Sequence, residues 1–85
     1  MIRMEALRAL VAVAEHGNIK DAAEQLHRTP SALSMTLKQI EDRLGGPLFE
    51  ADRKQTLTEL GQLVFETGTI LLRDYDRAME AIAAH

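Results

Sequence analysis

Residues 29–44, TPSALSMTLKQIEDRL, constrain this chain more than any other stretch, because they predict a helix with one side to bury and another to present. Leu33, Leu37, Ile40 and Leu44 follow at steps of four, three and four, the spacing of one stripe on a 3.6-residue helix, and are expected to face a core. The opposite side gathers Ser31, Ser34, Met35, Lys38 and Gln39, small, polar, flexible or cationic groups with no packing reason to be together. Thr29 is placed to cap the helix, and Pro30 suits its first position, where a missing N–H does no harm. No Asp or Glu occurs between residues 25 and 40, so the segment is clear of charges that would repel a polyanion. The pattern predicts a helix that meets double-stranded DNA.

The 85 residues make one small domain, which buries a modest share of its surface unless a second subunit helps. The chain has no cysteine, which excludes a disulfide, a thiolate nucleophile and a cysteine zinc site and fits a reducing, cytoplasmic setting. No apolar run approaches the roughly 20 residues of a membrane span, and Arg3, Glu5 and Arg8 interrupt the start as they would not in a signal peptide. His16 and His27 fall in different elements without a ligand pattern, so no metal site is expected. Nor is there a nucleophile with a partner base, a carboxylate pair in an apolar cleft or a glycine-rich phosphate loop, which predicts no enzyme, no catalytic residue and no cofactor. The net charge is −3, yet residues 1–58 hold eight bases and eight acids, whereas residues 59–85 hold two bases and five acids. A neutral front end with local basic points predicts few phosphate contacts per subunit and a need for more than one copy on the duplex.

In chain order, Met4, Leu7, Leu10, Val11 and Ala14 form a first helical stripe that stops near Gly17. Asn18 can cap a short second helix, about residues 19–26, with Ala22, Ala23 and Leu26 inward; His27 and Arg28 turn the chain into the third. Arg28 can clamp a phosphate or pair with Glu24. Helix, brief turn and capped helix is the helix-turn-helix pattern. Gly45-Gly46-Pro47 then ends the third helix, and Leu48-Phe49 and Thr56-Leu57-Thr58 read as two short strands with Arg53 and Lys54 at the tip of the loop between them. Such a wing would carry a cation to the flank or minor groove. Thr58 caps a last helix of roughly 26 residues, about 39 Å long. Val64, Leu71, Tyr75, Ala78 and Ile82 make one seam on it, and Phe65, Leu72 and Met79 a second. Two seams exceed what one protruding helix can bury alone, which predicts a homodimer through this helix. Gly61 and Gly68 inside it point to close backbone approach.

The run AAEQLHRTPSALSMTLKQIEDRLGGPLFE, followed by LTELG, resembles the N-terminal DNA-binding domain of LysR-type transcriptional regulators, from about Leu7 to the end. The resemblance implies a mainly α fold: a winged helix-turn-helix of three helices and a two-stranded wing over residues 1–58, then a linker helix that dimerises over residues 59–85. It also implies an effector domain of periplasmic-binding-protein type, absent from this chain, and leaves a tetramer open for the full-length protein. By position it assigns base or groove contacts to Thr29, Pro30, Ser31, Ser34, Met35 and the wing residue Arg53, and a phosphate contact to Lys38; Arg28 and Lys54 join the phosphate set on their own placement. The dimer contacts expected from the seams are Val64, Leu71, Leu72, Tyr75, Ala78, Met79 and Ile82. The sequence departs from the family at Ala51, where many members carry arginine, at Pro30 in place of a common glutamine, at Met35, and in a wing one residue shorter. The acidity, Ala51 and Met35 keep a second reading open, a winged-helix protein-interaction or dimerisation module with little DNA affinity.

Overall fold

A computed structural model describes residues 2–53 and 56–85. Among the described residues are four helices: α1 (Met4–His16), α2 (Ile19–Gln25), α3 (Pro30–Leu44) and α4 (Glu59–Ala83). Local chemistry sets most of their boundaries. The Asn18 side chain accepts from the Asp21 N–H at 2.8 Å, Thr29 from Ala32 at 3.1 Å and Thr58 from Gly61 at 3.0 Å, each satisfying an orphan donor of a first turn. Gly17 and Gly45 close α1 and α3 in the left-handed conformation. His27 takes the same conformation without being glycine, with φ of 56°, and turns the chain between α2 and α3.

α1 is the hub, and it packs against α2, α3 and α4, whereas α4 meets no other helix. Its buried residues are not the stripe expected from the sequence. Ala9, Leu10, Ala12 and Val13 join Ala22, Ala23, Leu33, Leu37, Ile40 and Leu48 in one core, while Leu7 and Val11 lie beside Gly68 of α4. A helix wrapped by neighbours on several sides buries residues all round, so a single-stripe reading finds part of them. On α3 the stripe holds for Leu33, Leu37 and Ile40 but not for Leu44, which is 39% exposed where the helix runs past the core. Thr36 is buried instead, its hydroxyl donating to the Ala32 carbonyl at 3.1 Å.

The expected two-stranded wing is not shown by the described residues. Among the described residues there is no strand, only one antiparallel bridge between Phe49 and Leu57, flanked by Thr58 N–H to Leu48 O at 2.9 Å and Glu50 N–H to Thr56 O at 2.8 Å. Thr56 N–H also donates to Arg53 O at 2.9 Å. Glu41 holds the base of this loop by accepting from the Leu48 N–H at 2.9 Å.

The first half of α4 belongs to this body. Leu72 is 6% exposed and Val64 packs against the core, so these two expected dimer residues serve their own subunit. Beyond Leu72 every residue of α4 is exposed, and its last tie to the body is an ion pair. Arg8 donates from Nη2 to Asp76 Oδ1 at 2.6 Å and from Nη1 to Oδ2 at 3.3 Å, its guanidinium 5.8 Å from the centre of the Tyr75 ring. The hydrogen bond from Arg8 holds the Asp76 carboxyl below its ordinary value. A carboxylate depressed on folding contributes stability above its unfolded value, near 3.9, and loses it as pH falls through the folded one. In urea titrations at successive pH values, wild type is therefore expected to exceed Asp76→Asn at neutral pH, with the gap closing below about pH 4.

Candidate nucleic-acid interface

The face of α3 turned away from the core carries Ser31, Ser34, Met35, Lys38 and Gln39, all exposed, with Arg28, Thr29 and Pro30 exposed at its start. Burial of Leu33, Leu37 and Ile40 fixes the helix's rotation, so this face cannot turn inward without dismantling the core. Met35 is 65% exposed, an apolar side chain standing clear of the fold. Thr29 accepts one hydrogen bond at the cap, which leaves its hydroxyl proton and a second lone pair available.

The electrostatics favour an anion. α3 has no acid in its first turn, and its N-terminal end carries the positive pole of the helix dipole. Its two acids lie in the second half, Glu41 engaged with Leu48 and Asp42 3.8 Å from Lys38. That exposed i,i+4 pair is weak and leaves the ammonium available to a phosphate. Arg28 forms no ion pair among the described residues, with Glu24 or any other acid. Arg53 is exposed on the loop after the bridge, and Lys54 lies outside the described residues. Among the described residues no group of His, Cys, Asp or Glu could hold a metal ion, and no helix is long and apolar enough to cross a membrane.

Residues 4–62 match the family described as bacterial regulatory helix-turn-helix protein, lysR family. The chain belongs to the LysR family. This LysR-family domain is 38% identical over 85 residues to the RuBisCO operon transcriptional regulator of Allochromatium vinosum, covering 95% of the chain and 28% of that protein. It is 36% identical over 77 residues to the probable HTH-type transcriptional regulator YhaJ of Escherichia coli strain K12, covering 89% and 26%. It thus spans about a quarter of the length of these curated relatives, which are transcriptional regulators and not enzymes. Among solved structures it is similar to the BenM DNA-binding domain in complex with catB site 1 DNA, with a TM-score of 0.88 and 26% identity over 96% of this chain and 92% of that one. The CbnR DNA-binding domain in complex with DNA gives a TM-score of 0.82 and 28% identity over 96% and 95%.

Three features of the LysR-family domain escaped the sequence reading. Leu63 and Ile70, seven residues apart on α4, are 61% and 63% exposed and lie outside both expected seams. Their heptad spacing was the available signal. Neither the Arg8–Asp76 pair nor the Glu41–Leu48 bond left a local trace, because each joins residues that only the tertiary fold brings together.

Proposed function

We propose that this chain is the sequence-specific DNA-binding domain of a cytoplasmic transcriptional regulator and acts as a dimer. In this reading residues 30–43 lie in the major groove and the loop bearing Arg53 and Lys54 reaches the flank. The exposed, acid-free face over Ser31, Ser34, Met35 and Lys38 carries the proposal, on a helix whose rotation the core fixes. The DNA complexes of BenM and CbnR support it by their likeness to the whole chain. Dimerisation falls to the exposed part of α4, where Leu71, Tyr75, Ala78, Met79 and Ile82 continue an apolar face that the subunit does not cover.

Selection of sites from random DNA tests the reading. Binding is expected to sharpen to one motif and to weaken steeply with salt. An intact dimer that binds no DNA even at low salt would instead favour the protein-interaction module, which the net charge of −3 and Met35 motivate. Lys38→Ala is expected to weaken binding to all sequences alike and to reduce the salt slope by about one, as loss of one phosphate contact does. An unchanged slope removes Lys38 from the phosphate set. Met35→Arg is expected to change the preferred base under the helix, since arginine can bind guanine through two hydrogen bonds and a thioether cannot. The same selected motif from both proteins would place Met35 away from the bases.

A further inference from the structure

α4 joins the rest of the molecule along one side and then runs free. Among the helices it touches α1 alone, and its burial ends at Leu72. One turn later stands its last bond to the body, the two-pronged contact of Arg8 with Asp76, with the guanidinium over Tyr75. A fork of this kind fixes direction as well as distance, because both N–H groups must meet both oxygens at once. No other ion pair among the described residues joins two helices: Arg3–Glu5 lies at the start of α1, Lys38–Asp42 within α3 and Arg77–Asp74 within α4.

We propose that Arg8 and Asp76 are positioning residues for DNA recognition: by locking the angle at which α4 leaves the body, they set the spacing of DNA half-sites that a dimer accepts. The inference rests on the dimeric reading above. The molecule is 48 Å along its longest axis. A turn of ~10° about its middle carries either end by roughly 4 Å, about the 3.4 Å advance of one base pair. Two recognition helices held by paired α4 helices therefore register their separation to within a base pair only if that angle is fixed. Among the described residues neither of the two hydrogen-bonds to α3, and Tyr75, under the Arg8 guanidinium, is the one proposed dimer residue that the pair is seen to meet, so Asp76→Asn, which keeps Arg8 in place, separates the effect on the angle from an effect on that ring.

Two measurements on the 85-residue chain test this. The first titrates wild type, Arg8→Ala and Asp76→Asn against paired half-sites, taken from the selected motif, whose separation varies by one or two base pairs either way. The variants are expected to stay dimeric and to bind the best spacing nearly as well, while wild type's preference for it over its neighbours shrinks by roughly fivefold to tenfold. The swap Arg8→Asp with Asp76→Arg is expected to restore the preference. The second needs no DNA: the chain lacks cysteine, so spin labels at Lys20→Cys and Glu80→Cys report the distance between α2 and the end of α4, within one subunit when diluted into unlabelled protein. Arg8→Ala and Asp76→Asn are each expected to broaden that distribution. An unchanged spacing preference or an unchanged distribution in both single variants overturns the inference. If wild type binds no DNA, the functional reading fails on its own account, and the distance measurement still decides whether the pair locks the angle.

Discussion

Gly61→Ala is expected to lower the stability of the domain by roughly 2–4 kcal/mol, whereas Gly68→Ala, one heptad along the same helix, is expected to leave it unchanged or raise it by up to about 1 kcal/mol. A Cβ at Gly61 would collide with the Leu48 carbonyl oxygen and press within 3.0 Å of Leu57 Cδ2. That carbonyl cannot retreat cheaply, since it accepts from the Thr58 N–H at 2.9 Å, and Thr58 in turn caps α4 and donates its hydroxyl to Pro47 O at 2.7 Å. At Gly68 the nearest atom to an added Cβ is Leu7 Cδ2 at 3.6 Å, ordinary contact, so the helix gains alanine's propensity at no steric expense. In thermal unfolding the first variant should melt about 10 °C or more below wild type and the second at or a few degrees above it. Equal shifts for the two would mean that close approach to Leu48 is not the reason for glycine at 61.

Met79→Glu with Ile82→Glu should convert the protein to a monomer and reduce binding to a paired site by about 10²–10⁴, the loss expected when two linked contacts become independent. Both side chains are exposed in the subunit, 41% and 68%, so the carboxylates are hydrated there and far-UV circular dichroism and melting at low concentration should change little. Between two helices the same charges would be buried and would repel. Leu72→Ala provides the contrast. Its side chain is 6% exposed against the subunit's own body, so this change should cost about 2–5 kcal/mol of stability before it affects association. Sedimentation velocity separates the outcomes, and a double variant that still sediments as a dimer would move the dimer interface away from the end of α4.

The parts of this fold legible in the sequence are those written within a single turn of chain. Asn18, Thr29 and Thr58 each bind a backbone N–H three residues on, and Gly17 and Gly45 each take a conformation that other residues resist, so residue type and position were enough. The exposed face of α3 was legible for a related reason, since its opposite stripe of Leu33, Leu37 and Ile40 is buried by one neighbouring body. The limits appear where neighbours are several. α1 is enclosed on more than one side, so Ala9, Ala12 and Val13, outside the expected stripe, are core. On α4, periodicity shows an apolar residue but not what covers it: Leu72 is covered by its own subunit and Ile82 is not, although both stood in the same pair of seams. The loop after α3 has the apolar pairs of a hairpin, yet Phe49–Leu57 is the single bridge among the described residues.

Four of the ten core residues are alanines: Ala9 and Ala12 on α1, and Ala22 and Ala23 on α2. A core position filled by a methyl group can be enlarged only by pushing its neighbours apart, and α1 and α2 pack against each other and against α3, so growth at these positions would disturb the seat of α3. Drift over generations should therefore spare these four positions more than the bulky ones around them, where Leu, Ile and Met can be exchanged with little change in volume.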